Sequence, residues 1–518
     1  MADTPRFYLT TAIDYPNSRP HIGTAFEKIG ADVQARYRRM EGYEVHFLMG
    51  NDENTIKVAR RAAELGLAPK EYCDTMAKQF QEIWRALAIS YDDFIQTSEP
   101  RHHLGCRKFI QKVYDNGAIY KGTYEGLYCE GCESFKTERD LDEQGRCPNH
   151  PHTPPVRRSE PCYFFALSKF QDRLLLFYEQ NPDFIQPESR RNEVLSLVQS
   201  GLQDVNITRT GQDWGIRVPF DEQFTIYVWF DALLNYITGV GYGTDEALFN
   251  KWWPADLHVI GKDITRFHCA LWPAMLLAAG LEPPRRVFGH GFVYLKGEKM
   301  SKTLGNIVEP MEIITRFSAE AFRYYFMREC PFPGDGDFSW KRFEEVYNAD
   351  LANNLGNLYS RVVRLITQNY AGHLQATAGQ EPGVIYTDVD TETTVQQVQA
   401  HIEACQYNQA LERIWRQILD PANRYADRKE PWKLVKTDLN AAKQVLYDLV
   451  EQLRAVAILL KPFLPWTAET IYRSFNFPQP WEEVRHEDVW VHPRQAEDLR
   501  VLAELADGKV KPLFPRIN

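Results

Sequence analysis

The sequence predicts an α/β protein: a doubly wound parallel sheet, interrupted by an inserted domain and followed by a helical bundle. Three observations predict it. Apolar strand-like runs alternate with amphipathic helical runs over residues 1–115 and again over 226–295, the pattern of βα units that pair in parallel. Between these stretches, over 116–225, the texture changes to Tyr, Gly and Cys with polar turns. Beyond about residue 340 strand signals give way to long helical periods.

Taken in order, "FYLTTAI" reads as a strand, "TAFEKIGADVQARYRRM" as a helix, "YEVHFLMG" as a strand and "NTIKVARRAAELG" as a helix. After the insertion the alternation resumes with strand "FTIYVWF", helix "DALLNYITGV", strand "DLHVIG", helix "TRFHCALWPAMLLAAG" and strand "VFGHGFVYL". A connecting segment over 296–345 carries "KMSKT". Residues 346–518 form the bundle, with "YNADLANNLGNLYSRVVRLITQNY" and "NAAKQVLYDLVEQLRAVAILLKPFLP" as its clearest helices.

Composition bounds the function. The chain has 518 residues, 44% hydrophobic and 25% charged, enough for several cores. It holds no apolar run of membrane-spanning length, and its start, "MADTPRFYLTT", lacks the features of a secretory signal or transit peptide. The expectation is a cytoplasmic protein away from membranes. A net charge of −10 argues against coating nucleic acid through a global positive field, while leaving room for a local basic surface. Nine cysteines in a reducing context are not expected to pair, so a close cluster is read first as a metal site.

In open parallel sheets ligands bind outside the carboxyl ends of the strands. Polar residues follow each expected strand there: His21-Ile22-Gly23-Thr24, Asn51-Asp52, Phe230-Asp231, Lys262-Asp263 and "KGEKMSKT". A helix start at "PHIG" offers amides and a positive dipole end to phosphate, Gly23 lets a flat base approach the backbone, and His21 can donate to a phosphate oxygen. A plain capping role for "PHIG" is the competing interpretation. Lys299 and Lys302, bracketed by Gly297 and Gly305, suit a mobile loop that neutralises charge on departing pyrophosphate.

"HIGT" followed by "KMSKT" resembles the paired signature of class I aminoacyl-tRNA synthetases. The stretches between and beyond, "YLTTAIDYPNSRPHIG", "YVWFDALLNY", "GKDITRFHCALWPAML", "GEKMSKTLGN", "NNLGNLYSR" and "EPW", resemble the methionyl-tRNA synthetase family over nearly the whole chain. The resemblance implies a Rossmann-type sheet, a zinc-knuckle connective insertion and an anticodon-binding bundle. It also implies activation of L-methionine by ATP with Mg²⁺, then transfer to tRNA(Met), initiator tRNA included. His21, Thr24, Arg209, Lys299 and Lys302 become the expected catalytic residues; Gly23 and Ser301 join His21, Thr24 and the two lysines in binding ATP. Two departures stand out, Thr24 for the usual second histidine and Thr303 for the usual serine. A threonine hydroxyl can still donate to phosphate or ribose, but it carries no positive charge.

A methionine slot needs apolar, polarizable walls and one carboxylate for the ammonium group. Asp52 supplies the charge. Trp229, Ala232, Leu233 and Tyr236 lie on one helix start, where four-residue spacing puts Ala232 and Tyr236 on one face. Ile264, Phe267 and His268 repeat the arrangement on the next helix, and Ile13 and Tyr15 close the wall. An ordinary aromatic core is the alternative; the resemblance implies methionine binding by this set. A hydrogen bond to sulfur from Tyr236 or His268 would aid discrimination.

Cys129-x2-Cys132-x14-Cys147-x2-His150 has the spacing of a closed, structural Zn²⁺ site, with His152 competing for the fourth place. Cys162 lies outside the pattern. In the bundle, Asn353, Asn357 and Arg361 recur every four residues as a polar ridge, and Trp432 follows Pro431 at a helix start, placed to stack on an unpaired base. Cross-bracing of the bundle is the alternative for these four; the resemblance implies anticodon reading. Arg413, Arg416, Arg424, Arg428, Lys429, Lys433 and Lys436 concentrate positive charge nearby. The chain ends at "KPLFPRIN" without a further oligonucleotide-binding barrel, so a monomer is expected. Three rival functions remain: a class I synthetase for leucine, isoleucine, valine or cysteine, a non-charging tRNA- or adenylate-binding paralogue, and a small-molecule nucleotidyltransferase.

Overall fold

The computed structural model describes every residue except 1–3, 133, 137–139, 301–305, 376–390, 492–497, 504, 507, 508 and 518. Its central sheet has six strands: β1 (Arg6–Thr11), β2 (Glu44–Asn51), β3 (Asp93–Gln96), β4 (Ile185–Gln186), β5 (Leu257–Gly261) and β6 (Val287–His290). All pairings are parallel, in the spatial order β3-β2-β1-β5-β6-β4. The order reverses between β1 and β5, and a crevice opens at their carboxyl ends. Helices cover both faces, which is why β5, "LHVIG", is buried at every residue.

Two expected strands are corrected. In "FTIYVWF" only Thr225–Ile226 is a strand, antiparallel to Thr208–Arg209, and the chain then turns into a helix over Val228–Ala232. Its β-branched and aromatic residues are buried as a connector: Tyr227 N–H donates to Ile207 O, and Phe230 enters the second apolar core. "VFGHGFVYL" breaks at Gly291, where a Cβ would lie 1.8 Å from Gly334 O. Val287–His290 stays in the parallel sheet, whereas Val293–Leu295 joins a separate small sheet with Glu298–Lys299 and Gly336–Phe338.

Helix α1 (Ile22–Met40) follows β1 and is enclosed almost all round, its buried positions including Glu27, Lys28, Asp32 and Gln34. Phe26, Ile29 and Val33 share one apolar core with Phe322, Phe326, Phe332 and Tyr407 from beyond the sheet. A second core on the other face joins the helix Pro100–Asp115 to the insertion. The insertion carries an antiparallel sheet of Ser134–Lys136, Ile119–Cys129, Val156–Phe165 and Val205–Asn206. It also returns Ile185–Gln186 to the edge of the parallel sheet, a strand too short to alternate visibly in sequence.

Beyond residue 340 helices dominate, but strands do not vanish: His373–Gln375 pairs with Asp498–Arg500, and Leu505–Ala506 with Lys509–Val510. The expected single helix over 347–370 is a π-helical run, Tyr347–Gly356, continued by an α-helix, Asn357–Tyr370. The C-terminal tail clasps the π-run, with Tyr347 O–H donating to Pro515 O at 2.8 Å and Ile517 N–H to Asn348 Oδ1 at 3.1 Å. No helix among the described residues is long and apolar enough to cross a membrane.

Candidate active site

His21 is the N-cap of α1. Its Nδ1 accepts from Gly23 N–H at 3.0 Å and Thr24 N–H at 3.3 Å, while Ile22 N–H donates to Val308 O at 3.1 Å. The expected cradle of open amides is therefore corrected: the first three are engaged, so an anion at this helix end is met by side chains rather than by these amides. With Nδ1 accepting, the proton of the neutral ring sits on Nε2 and can be donated outward. Gly23 is needed because a Cβ there would meet His21 Cε1 at 2.9 Å. The same Cβ would lie 3.5 Å from Met300 Cε, so the turn of "HIGT" and the start of "KMSKT" are neighbours. Lys299 lies in the short strand leading to Met300; Ser301, Lys302 and Thr303 lie outside the described residues.

At the crevice between β1 and β5, Ile13, Tyr15, Asp52, Trp229, Ala232, Leu233, Tyr236, Ile264 and His268 line one hollow. Ala12 and Asn235 complete it, neither of them foreseen. Phe267 stands behind the wall, stacked on Trp229 with centroids 4.1 Å apart and planes 5° from parallel. Asp52 is the acidic residue of this lining, and its backbone N–H is fixed by Asp14 O at 2.9 Å.

Tyr236 and His268 are paired with each other at 2.8 Å, and His268 Nδ1 faces Ile264 O at 3.1 Å. The carbonyl requires the proton on Nδ1, so Nε2 accepts the Tyr236 O–H. Burial holds His268 neutral, its pKa lowered to about 4. Neither group has a spare donor in this arrangement, and a bond to sulfur requires the tyrosine hydroxyl to turn away from His268. Behind them His258 stacks on Tyr236 at 4.3 Å, held between Thr10 Oγ1 and Trp272 Nε1. Sequence reading missed this layer because Thr10 and His258 look like ordinary strand residues.

Arg209 is buried with its guanidinium 4.1 Å from the Tyr227 ring and its Nη1 donating to Thr208 O at 2.7 Å. It lines a small hollow with Asn54, Gln212, Tyr227 and Val228. Asn54 Nδ2 reaches Thr97 O at 3.0 Å and Asp231 Oδ2 at 3.3 Å, fixing the loop after β2 to the helix that carries Trp229.

Charges also lie under the hollow. Lys28 is fully buried; burial opposes its charge, but Asp14 and Glu27 raise its pKa above the ordinary value. Burial lifts Asp14 to about 6 against the pull of Lys28, whereas Lys28 and His290 outweigh burial at Glu27 and lower it. The available signal was the placement of Glu27 and Lys28 between Phe26 and Ile29, where a core-facing helix should be apolar.

In the insertion, ligand atoms of Cys129, Cys132, Cys147 and His150 all lie within 4.8 Å of one another. Cys132 Sγ is 3.4 Å from Cys147 Sγ and 3.3 Å from His150 Nδ1, close to the edges of about 3.5–3.8 Å that Zn–S and Zn–N bond lengths give a tetrahedron. Three thiol sulfurs and one imidazole fit Zn²⁺ with no open position. Gly131 admits the His150 ring, which a Cβ would strike at 2.3 Å. His150 rather than the exposed His152 completes the cluster.

In the bundle, Arg361 lies 3.3 Å from Asp427 and 4.9 Å from the centroid of Trp432, while Asn357 is exposed. Asn353 belongs to the π-run, and its Oδ1 accepts from Arg516 Nε at 2.5 Å. The wider turn takes it out of the even four-residue ridge. Arg424, Arg428, Lys429 and Lys436 are exposed nearby. Arg416 and Lys433 pair with Glu412 and Glu430.

Residues 7–153 and 150–363 match the family model described as tRNA synthetases class I (M), and residues 389–508 that of the anticodon-binding domain of tRNA ligase. The methionine–tRNA ligase of Caldanaerobacter subterraneus subsp. tengcongensis is 44% identical over 489 residues, 92% of this chain and 76% of that protein. That of Thermosynechococcus vestitus is 44% identical over 486 residues, 92% of this chain and 90% of its own. Among solved structures, Mycobacterium tuberculosis methionyl-tRNA synthetase in complex with methionyl-adenylate matches with a TM-score of 0.90 at 39% identity, covering 99% of this chain and 100% of that one.

Proposed function

The chain belongs to the methionine-specific class I tRNA synthetases, and we propose that its residues divide that family's reaction between the hollow at the β1–β5 crevice and the two signature segments beside it. The chain activates L-methionine with ATP to methionyl-adenylate and transfers the methionyl group to the 3′ end of tRNA(Met). The observation that carries the assignment of residues is the meeting of the signatures, with Met300 against Gly23 and Ile22 bonded to Val308, next to an apolar hollow holding Asp52.

Asp52 binds the methionine ammonium, and Ile13, Tyr15, Trp229, Ala232, Leu233, Tyr236, Ile264 and His268 enclose the thioether chain, with Phe267 bracing Trp229. The methionine carboxylate then attacks the α-phosphate of ATP, which enters as its Mg²⁺ complex, and pyrophosphate leaves in line. Such a displacement needs placement and charge stabilisation more than a protein nucleophile. His21 Nε2–H donates to a phosphate oxygen, Gly23 gives the adenine side room, and Thr24 donates its hydroxyl. Lys299, Ser301 and Lys302 hold the departing pyrophosphate. Arg209 orders the acceptor side of the site. In the second step a terminal ribose hydroxyl of tRNA attacks the adenylate carbonyl and AMP leaves.

The knuckle of Cys129, Cys132, Cys147 and His150 holds one structural Zn²⁺, and Asn353, Asn357, Arg361 and Trp432 read the anticodon of tRNA(Met), initiator tRNA included. The protein acts as a monomer in the cytoplasm. The domains run 1–115 and 226–295 for the catalytic halves, 116–225 for the insertion, 296–345 for the stem contact and 346–518 for the anticodon bundle. The test is ATP–pyrophosphate exchange against all twenty amino acids, followed by charging of tRNA(Met). Exchange with methionine alone supports the assignment; exchange with leucine, isoleucine, valine or cysteine instead, or tRNA binding without any exchange, overturns it.

A further inference from the structure

None of these steps uses the charges beneath the hollow. Lys28 lies one helical turn after Thr24 on α1, with its side chain fully buried. Its ammonium donates to Ala12 O at 2.6 Å and Glu27 Oε1 at 2.7 Å, and it is ion-paired with Asp14 Oδ2 at 3.2 Å. Glu27 continues to His290 at 2.9 Å, whose other ring nitrogen faces Gly291 O at 2.7 Å. Desolvating an ammonium group is costly unless it is paired. A position that needed only volume would be apolar, like Phe26 and Ile29 beside it.

What the ammonium grips is the segment that leaves β1. Ala12, Ile13 and Tyr15 all line the hollow. Asp14 also fixes the opposite wall, because its carbonyl accepts from Asp52 N–H at 2.9 Å and its own N–H donates to Gly50 O at 3.0 Å. The geometry points to Lys28 as a positioning residue for the amino-acid substrate: by clamping Ala12 and Asp14 it sets the apolar wall and the place of the Asp52 carboxylate together. This rests on the hollow being the methionine site. Lys28 does not replace the charge missing at Thr24, since it is enclosed and committed to Ala12, Glu27 and Asp14.

The test measures methionine binding by calorimetry without ATP, alongside exchange kinetics. Lys28→Met is expected to weaken methionine binding about tenfold while the KM for ATP stays within about twofold. Asp14→Asn, which loosens the clamp from its other side, is expected to act in the same direction. The double variant should be no worse than Lys28→Met alone, because both changes break one contact. An unchanged methionine affinity in a folded single variant, or a loss that falls on ATP instead, overturns the proposal. Should Lys28→Met fail to fold, Asp14→Asn decides alone. A wild type that binds methionine but does not exchange sinks the functional assignment and leaves the clamp to be judged by affinity. A wild type that binds no methionine overturns both.

Discussion

At the residue scale, Tyr236 shows how little freedom the hollow leaves. Its hydroxyl is spent on His268 Nε2, which is neutral and has its own proton committed to Ile264 O. Tyr236→Phe removes the only O–H of the pair and leaves a buried ring nitrogen without a donor, a loss of about 1–3 kcal/mol. The KM for methionine should rise about tenfold with kcat changed less, measured by pyrophosphate exchange; an unchanged KM removes Tyr236 from recognition. Thr24 makes a different case. Because His21 spends Nδ1 on the Gly23 and Thr24 amides, its neutral imidazole carries no more than one donor N–H. Thr24→His adds a second donor in the same turn and should raise kcat by up to about tenfold with the methionine KM steady. A wild type with no turnover that recovers in Thr24→His would show that threonine disables the site rather than adjusts it.

At the scale of elements, what sequence revealed and what it hid have physical reasons. The strands before "HIGT" and "KDIT" were legible because helices on both faces demand unbroken apolar runs. β4 was not, since two residues cannot display a period. "FTIYVWF" misled because burial alone, without pairing, selects the same residues that strands do. The cysteine knuckle was fully legible, since ligand spacing is itself the constraint, although only geometry separated His150 from His152. Helix α1 hid its chemistry: polar groups at core-facing positions carry no periodic signal. Asp32 is one of them, bonded to Ser90 and paired with Arg36 and the fully buried Arg323, which also donates to Leu87, Pro462 and Phe463 carbonyls. Burial acts to raise Asp32, but the two arginines and Ser90 outweigh it and hold it at about 2, against 3.8 when unfolded. The folded state binds this proton less readily, so the ionised group contributes about 2 kcal/mol above pH 4 that is lost as pH falls toward 2. Thermal melts of wild type and Asp32→Asn should therefore differ at pH 7 and converge only below about pH 2; a gap independent of pH would rule out the charge as its source. The knuckle makes a parallel claim, since Cys129, Cys132, Cys147 and His150 converge as a set able to close on one metal ion. Chelation should lower tRNA charging while leaving methionine-dependent exchange within about twofold; equal loss of both would place the metal in the chemistry instead.

At the scale of the whole molecule, α1 and the bundle share one apolar core while Leu233 and Tyr236 of the hollow belong to the second, so α1 is packed on one side by the sheet and on the other by helices that continue toward Trp432. The connection between them is the π-run Tyr347–Gly356, pinned by the C-terminal tail through Tyr347, Asn348 and Asn353. The acidic total of −10 rules out a general positive field as the source of tRNA affinity, so recognition has to come from local groups. Arg361 lies between Asp427 and the Trp432 ring, which is partly buried against the core. Base stacking on such a ring is worth about 1–3 kcal/mol. Trp432→Ala should therefore raise the KM for tRNA(Met) about tenfold to a hundredfold, while pyrophosphate exchange, which needs no tRNA, keeps its wild-type rate. Because Asn353 is held by Arg516 rather than standing in an even ridge, Asn353→Ala should cost less than Asn357→Ala in the same charging assay. Equal losses at the two positions would mean that the tail releases Asn353 when tRNA binds, and a fall in exchange with Trp432→Ala would mean that the bundle supports the catalytic fold rather than reads the anticodon.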